Sequence, residues 1–295
     1  MLKKSLTVSM FLVLLLLLVP SAALADTVIT FQHMTTIPAT QRIIDEAIAA
    51  FEQDNPGVTI EQTMVGWGEA HSQFTSSLVV GMAPDLVMLG GPWATEFQRM
   101  GAFADLNELL SADVIDNFLP SSLAAVQVDG SIYGLPWEGA TWAMFYRKDL
   151  FEAAGLDPEQ PPQTWEEMVE YAQALTDGDQ YGLVFPAGSW EPADYFLPFM
   201  WQAGNPVERY EDGVWKGAFA EESGLVATQF YYDLIHEYGV TPRSIANMDW
   251  EDVKNAFVAG NAGMMINGMW VINVIAAGNP ELAGQFALVG GHHQL

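Results

Sequence analysis

Residues 130–150 read GSIYGLPWEGATWAMFYRKDL, and this stretch decides how the chain divides. It opens on a turn at Asp129-Gly130 and passes through a short run, 131–135, into Pro136-Trp137. An aromatic-rich apolar segment follows at 141–146, with the pattern of a buried strand. Asp149 then stands three residues before Glu152, which predicts an N-cap with a capping box and a short helix ending at Gly155. Strand, displayed aromatics, strand and capped helix in that order predict a crossing between two lobes. The crossing leaves Trp137, Glu138 and Trp142 within reach of a ligand.

Upstream, the chain begins as an exported protein does. Lys3 and Lys4 precede an apolar run at 6–19, and Ala23-Leu24-Ala25 is a small-residue cleavage site before Asp26. Residues 1–25 are therefore expected to be a signal peptide, the alternative being an uncleaved anchor. The run is short for a spanning helix and no later one is apolar enough, so no membrane insertion is expected once the signal is removed. There is no cysteine, which excludes disulfides, thiolate chemistry and a lipid-modified N-terminal cysteine. The mature chain is expected to be free in the periplasm or the medium.

Acidic side chains number 37 against 10 basic ones, a formal charge of −27. Loss of Lys3 and Lys4 makes it −29. Nucleic acid and anionic membrane partners require positive surface, so both are disfavoured. The acidity fits either a saline habitat or simple solubility.

Along the chain, strand patterns at 27–31, 58–65 and 84–89 alternate with helical patterns at 40–51 and 67–80. In the first helix Ile43, Ile44, Ala47, Ile48 and Phe51 share a face. Such alternation implies an α/β fold with a mainly parallel sheet and helices on both faces. Ligands of these sheets bind at the carboxyl ends of strands, which singles out the loops 32–36, 65–68 and 90–93. Further helical stretches are expected at 96–101 and 114–125. Beyond the crossing, Thr164-Trp165-Glu166-Glu167 is a capping box whose helix presents Trp165, Met168, Val169, Ala172 and Leu175 as one apolar stripe. Strands are expected at 181–185, 263–266 and 286–289. Helices are expected from Pro192 to Ala203, over 225–238 and from Asp249 to Gly260. Glu211-Asp212-Gly213 marks a hairpin turn. The expected organisation is a signal at 1–25, an N-terminal lobe at 26–135, a C-terminal lobe at 136–290 and a tail at 291–295.

Six segments in order resemble family 1 of the extracellular solute-binding proteins, the maltose-binding-protein-like receptors of ABC importers. They are AFEQDNPGV (50–58), GMAPDLVML (81–89), DGSIYGLPW (129–137), FYRKDLFEAAGL (145–156), QTWEEMVEYAQALT (163–176) and AFVAGNAGMMINGMW (256–270). The resemblance implies the two-lobed periplasmic-binding-protein type II architecture, hinged around a cleft that closes on a carbohydrate such as an oligo- or disaccharide. It implies delivery to the transmembrane subunits of a permease by a receptor that is not an enzyme, needs no cofactor or metal and works as a monomer. Chains of this family run further, returning to the first lobe. This one is therefore expected to be truncated and its fold incomplete at the C-terminus, the alternative being a complete protein paired with a second polypeptide.

A sugar presents C–H faces that pack on indole rings and hydroxyls that cost roughly 1–3 kcal/mol each if buried unpaired. By resemblance Trp270, in INGMW, is the stacking aromatic at a helix start, and Trp190, Glu191 and Tyr195 supply an aromatic and a carboxylate from a loop and helix. Trp137 and Glu138 lie in the crossing. Trp93, Trp67, Gln32 and His33 complete the candidate ligand-binding set. Where the family often carries a hydroxyl-binding Asp after the third strand, this chain has Gly90-Gly91-Pro92. Trp165, on its regular stripe, is expected in the core.

No G-x-S-x-G, H-E-x-x-H or phosphate-binding glycine motif is present. The remaining alternatives are an exported carbohydrate-active enzyme of the glycoside hydrolase kind, with a carboxylate pair among its many acids, and a surface carbohydrate-binding or adhesion module. Charge repulsion is screened over about 8 Å at physiological salt but about 3 Å at 1 M. If the acidity is a saline adaptation, the urea midpoint will rise between these salt levels. An unchanged midpoint assigns it to solubility.

Overall fold

The computed structural model describes residues 27–35, 37–188 and 192–290. The expected signal peptide, the tail at 291–295, and Trp190 and Glu191 lie outside the described residues. The chain forms two compact units divided between Trp137 and Glu138.

The first unit is built on β1 (Thr27–His33), α1 (Pro38–Asp54), β2 (Val58–Met64), α2 (Trp67–Val79), β3 (Leu86–Val87) and α3 (Gly91–Arg99). Its sheet has the order β2-β1-β3 and is parallel throughout. Gly81, at φ +70°, closes the end of α2 in the left-handed region that glycine tolerates. Of the expected apolar face of α1, only Ile44 is buried, while Ile43 and Phe51 are exposed.

The expected buried third strand is corrected. Only Leu86 and Val87 pair, opposite Phe31 and Gln32, and Leu86 is exposed. Asp85 displaces the regular ladder. Its carboxylate accepts from the Thr30 N–H (2.9 Å) and hydroxyl (2.7 Å), and its own N–H donates to Thr30 Oγ1 (2.9 Å). These bonds hold its carboxyl below the usual range. The stretch 91–93, expected as loop, is the first turn of α3, where proline is pre-set for helix. The helix expected over 114–125 is two short ones, α4 (Ala112–Ile115) and α5 (Pro120–Ala124). Pro120 disfavours helix at the residue before it and opens the second. Two small strands, β4 (Gln127–Val128) and β5 (Ser131–Ile132), pair around the Asp129-Gly130 turn.

The second unit holds β6 (Trp142–Arg147), α6 (Lys148–Ala153), α7 (Trp165–Leu175), β7 (Tyr181–Val184), α8 (Pro192–Gln202), β8 (Glu208–Glu211) and β9 (Val214–Gly217). It continues with α9 (Glu222–His236), α10 (Trp250–Val258), β10 (Ala262–Gly268), α11 (Val271–Gly278) and β11 (Phe286–Gly290). Its sheet runs β11-β6-β10-β7. Here the expectation of a mainly parallel sheet is corrected: β10 is parallel to β7, but β6 is antiparallel to both its neighbours. The strands β7, β10 and β11, joined by helices, share one direction, and β6 alone is reversed. One contiguous core covers this sheet, drawing on Phe145, Met168, Leu183, Phe257 and Met264. Close contact sets its spacing. Gly182 on β7 lies so near the Ala172 carbonyl of α7 that no side chain fits there.

The helix starts follow their caps. Thr164 Oγ1 accepts the Glu167 N–H at 3.2 Å, while the Glu167 carboxylate reaches back to the Gln163 N–H at 2.7 Å. Asp249 forms a reciprocal box with Asp252. Trp165 is core, stacked on Phe230 at 4.3 Å with its indole N–H donating to Gln202 at 2.7 Å.

Asp149 is not the expected N-cap. It lies inside α6, and Arg147 takes its carboxylate bidentately at 2.8 and 2.7 Å. The Arg147 side chain is mostly buried and also donates to the Phe257 carbonyl at 2.8 Å. The Arg147 hydrogen bond, ahead of its charge, holds the Asp149 carboxyl below its ordinary value. A lowered carboxyl contributes stability that is full above its unfolded pKa, about 3.9, and is lost as pH falls through the folded value. Because the Asp149 side chain is 40% exposed and its charge is screened by solvent, Asp149→Asn should cost about 0.5–1 kcal/mol in urea melts at pH 7. The difference from the parent should shrink as the melts are moved into the acid range. Equal midpoints at pH 7 would remove this pair from the account of stability.

Candidate functional site

In the second unit the aromatic candidates gather at the carboxyl end of β10. Asn267, fully buried, is the hub. Its Oδ1 accepts from the Gly268 N–H at 2.8 Å and from the Tyr195 hydroxyl at 3.3 Å, and its Nδ2 donates to the Trp250 carbonyl at 3.1 Å. Three elements, β10, α8 and α10, are thereby tied to one amide. Trp270 caps α11, and its indole folds back over Gly268, filling the space a methyl group would need. Trp142 and Trp250 meet Trp270 edge to face, with centroids 6.0 and 6.4 Å away. Trp142 also meets Tyr195 edge to face at 6.2 Å. Such pairs contribute about 0.5–1.5 kcal/mol beyond their burial. The Trp142 indole N–H is buried without an acceptor among the described residues. Unpaired buried donors are uncommon and call for a reason in a folded protein.

The candidates separate by depth. Trp270 is half-buried and offers surface. Tyr195 is 1% exposed, so it supports the cluster from beneath. Trp137 and Glu138 are exposed. Partial desolvation nonetheless raises the Glu138 carboxyl above its ordinary value. Burial also raises Asp194, a half-buried carboxyl in the first turn of α8 beside Tyr195.

The first unit has its own cluster. Met34, Val65 and Ala70 are buried beneath Trp67, Met88 and Trp93. The Trp67 and Trp93 rings lie 6.0 Å apart beside Gly90, at the ends of β2 and β3. Gln32 is half-buried. His33, expected at a ligand, is 1% exposed, with both ring nitrogens engaged. The Gln62 amide donates to Asp45 at 2.8 Å, which turns its oxygen to His33 Nε2 at 3.1 Å. Nε2 therefore carries the proton, and Nδ1 accepts the Thr35 N–H at 3.3 Å. A neutral His33 thus fixes the loop that follows β1. Among the described residues, no three His, Asp or Glu side chains converge as a metal would require.

Sequence reasoning passed over Asn267, Trp250 and Asp194. For Asn267 a signal was present: a lone amide in the apolar strand AGMMING, where a polar side chain needs partners.

Two α/β units, with aromatic rings displayed at strand ends, define a class of solute receptor. The family model of the bacterial extracellular solute-binding proteins matches residues 36–288, and the chain belongs to that family. A binding protein of Brucella abortus is 30% identical over 240 residues, covering 81% of this chain and 57% of its own length. The chain thus spans a little over half the length of the relatives it matches. An ABC-transporter solute-binding protein of Thermotoga lettingae, bound to α-D-tagatose, superposes with a TM-score of 0.78 at 27% identity, covering 89% of this chain and 67% of that one. The maltose-bound MalE3 of T. maritima gives 0.77 at 26%, covering 89% and 66%. The fold is that of the two-lobed, maltose-binding-protein-like receptors.

Because the Trp270 ring occupies the space over Gly268, Gly268→Ala should expel it. Overpacking of this kind costs about 1–3 kcal/mol. A red-shifted Trp emission and a loss of near-UV circular dichroism from the coupled rings should accompany that loss. Unchanged spectra would mean that the indole is not held over the glycine.

Proposed function

We propose that this chain carries the carbohydrate-capturing surface of an exported receptor that serves an ABC importer. A C–H face of a sugar or polyol stacks on Trp270, and Trp142 and Trp250 hold that indole at a fixed tilt. Asp194, Glu138 and the flanking Trp190 and Glu191 supply hydroxyl partners and a further ring. Trp67, Trp93 and Gln32 play the same part in the first unit, while His33 and Tyr195 hold the surfaces in place. The receptor works as a monomer outside the cytoplasm. It releases its solute unaltered to the permease and catalyses nothing.

The observation that carries this reading is the seating of Trp270: an indole braced by two others above a glycine, at the end of a central strand. The ring is only half-buried, unlike the core ring of Trp165. Membership of the solute-binding family supports the reading, as do fold relatives holding tagatose and maltose.

Titration with mono-, di- and trisaccharides and with hexitols should change the Trp fluorescence for at least one ligand. No reducing ends should appear over hours. Trp270→Ala should weaken that ligand by at least about tenfold, or 1.4 kcal/mol. Unchanged affinity would remove Trp270 from the site, and released reducing sugar would make the protein an enzyme.

A further inference from the structure

The hairpin of β8 and β9 stands apart from the unit's main sheet. It pairs Glu208 with Gly217, Arg209 with Lys216, Tyr210 with Trp215 and Glu211 with Val214. Cross-strand partners share a face. One face therefore carries Glu208, Tyr210, Trp215 and Gly217, and the other carries Arg209, Glu211, Val214 and Lys216. The second face is ionic: Arg209 pairs with Glu221 at 2.8 Å, and Lys216 with Glu211 at 3.2 Å. The first is aromatic. Tyr210 and Trp215 lie 5.2 Å apart, and the Phe219 ring packs against Gly217, 3.2 Å from where a Cβ would lie. Phe219, Tyr210 and Trp215 are 52%, 63% and 64% exposed. Three adjoining rings, with the Glu208 carboxylate at one end, thus face solvent.

This face is held deliberately. Asp212 and Gly213, at φ 55° and 81°, make the tight two-residue turn that hairpins favour. At the base, Val207 has φ +69°, and the Glu208 N–H bonds the Pro206 carbonyl at 2.7 Å, a γ-turn strained for a β-branched residue. Buried Asn205 enforces it. The amide accepts the Val207 N–H at 2.8 Å and donates to the Ala218 carbonyl at 2.9 Å and to Ser223 Oγ at 3.2 Å. Maintained strain of this kind points to a use for what it orients.

Charge selects the partner. A chain of formal charge −27 repels nucleic acid, acidic lipid and its own copies. Both cations of the hairpin are paired, and both lie on the other face. Rings flanked by a carboxylate, with both of the hairpin's own cations paired on the opposite face, suit a neutral polyhydroxylated chain. Its C–H faces pack on the rings, and its hydroxyls donate to Glu208.

We propose that the aromatic face of this hairpin is an accessory binding site for a neutral polysaccharide, separate from the Trp270 cluster. The site concentrates the protein on the polymer from which its small solutes come.

Affinity electrophoresis in native gels containing soluble starch, xylan or dextran tests this. The parent chain should be retarded in at least one gel. A Tyr210→Ala/Trp215→Ala variant should lose about tenfold in apparent affinity while keeping the parent's urea midpoint and its fluorescence response to small sugars. Should that variant unfold, Glu208→Gln serves in its place, with a smaller loss in the same gel. Trp270→Ala should be retarded like the parent. The proposal is overturned if no gel retards the parent, if the hairpin variants run as the parent does, or if Trp270→Ala alone abolishes retardation. It is also overturned if the hairpin variants alter only self-association on size exclusion.

Discussion

The second unit turns on the hydrogen bonding of one buried amide. Asn267 has no exposure to water and satisfies three groups from three elements: the next backbone N–H of its own strand, the hydroxyl of Tyr195 on α8 and the carbonyl of Trp250 at the start of α10. Each such bond contributes only about 0.5–1.5 kcal/mol net, but leaving any one unmade costs about 1–3 kcal/mol. The asymmetry makes the arrangement specific. Sliding β10 or turning α8 from this arrangement breaks at least one of these bonds. Gly268, the residue that follows, then leaves room for the Trp270 ring. The position of the displayed indole is inherited from a polar contact beneath it.

Much of the fold was legible because local chemistry and the tertiary structure agree. The helix begun by Thr164, the reciprocal Asp249 box and the Asp212-Gly213 turn fall where side-chain capping and positive φ require them. Where the reading failed, a partner outside the expected pattern won. Asp149 stands in a capping pattern, yet a largely buried guanidinium two residues earlier takes its carboxylate. The 84–89 run is apolar enough for a strand, yet the Asp85 side chain substitutes for a rung of the ladder. The reversal of β6 could not be read at all. A strand's direction is set by which neighbours pair with it, and β6 finds β10 and β11 more than a hundred residues later.

The site was legible in its residue types more than in its depth. An aromatic near a strand end looks the same in sequence whether it lies in a wall or behind one. Trp270 is half-buried and braced, while Tyr195 and His33, members of the same candidate set, lie underneath with their polar atoms committed. What distinguishes them is the supply of partners. His33 faces Gln62 and the Thr35 amide, which other parts of the fold deliver to it. Trp165, by contrast, sits on an unbroken helical stripe, and periodicity alone assigned it to the core.

The same device recurs in places that share no sequence. Beneath Trp270 lies Asn267, at the base of the hairpin that carries Tyr210 and Trp215 lies Asn205, and behind the loop after β1 lies His33. In each case a buried polar side chain, Asn267, Asn205 or His33, bonds the backbone that carries the outer surface. An ionised group would do this poorly. Burying a charge is costly without a matched partner, and with 37 acids against 10 bases this chain has few cations to spare. Amides and an imidazole can be satisfied by backbone and neutral side chains, so a strongly acidic protein can keep these rings aligned without a buried charge beneath them. That division suits the proposed recognition of uncharged, hydroxylated molecules, in which dispersion and directed hydrogen bonds would select and the acidic exterior would turn away anions.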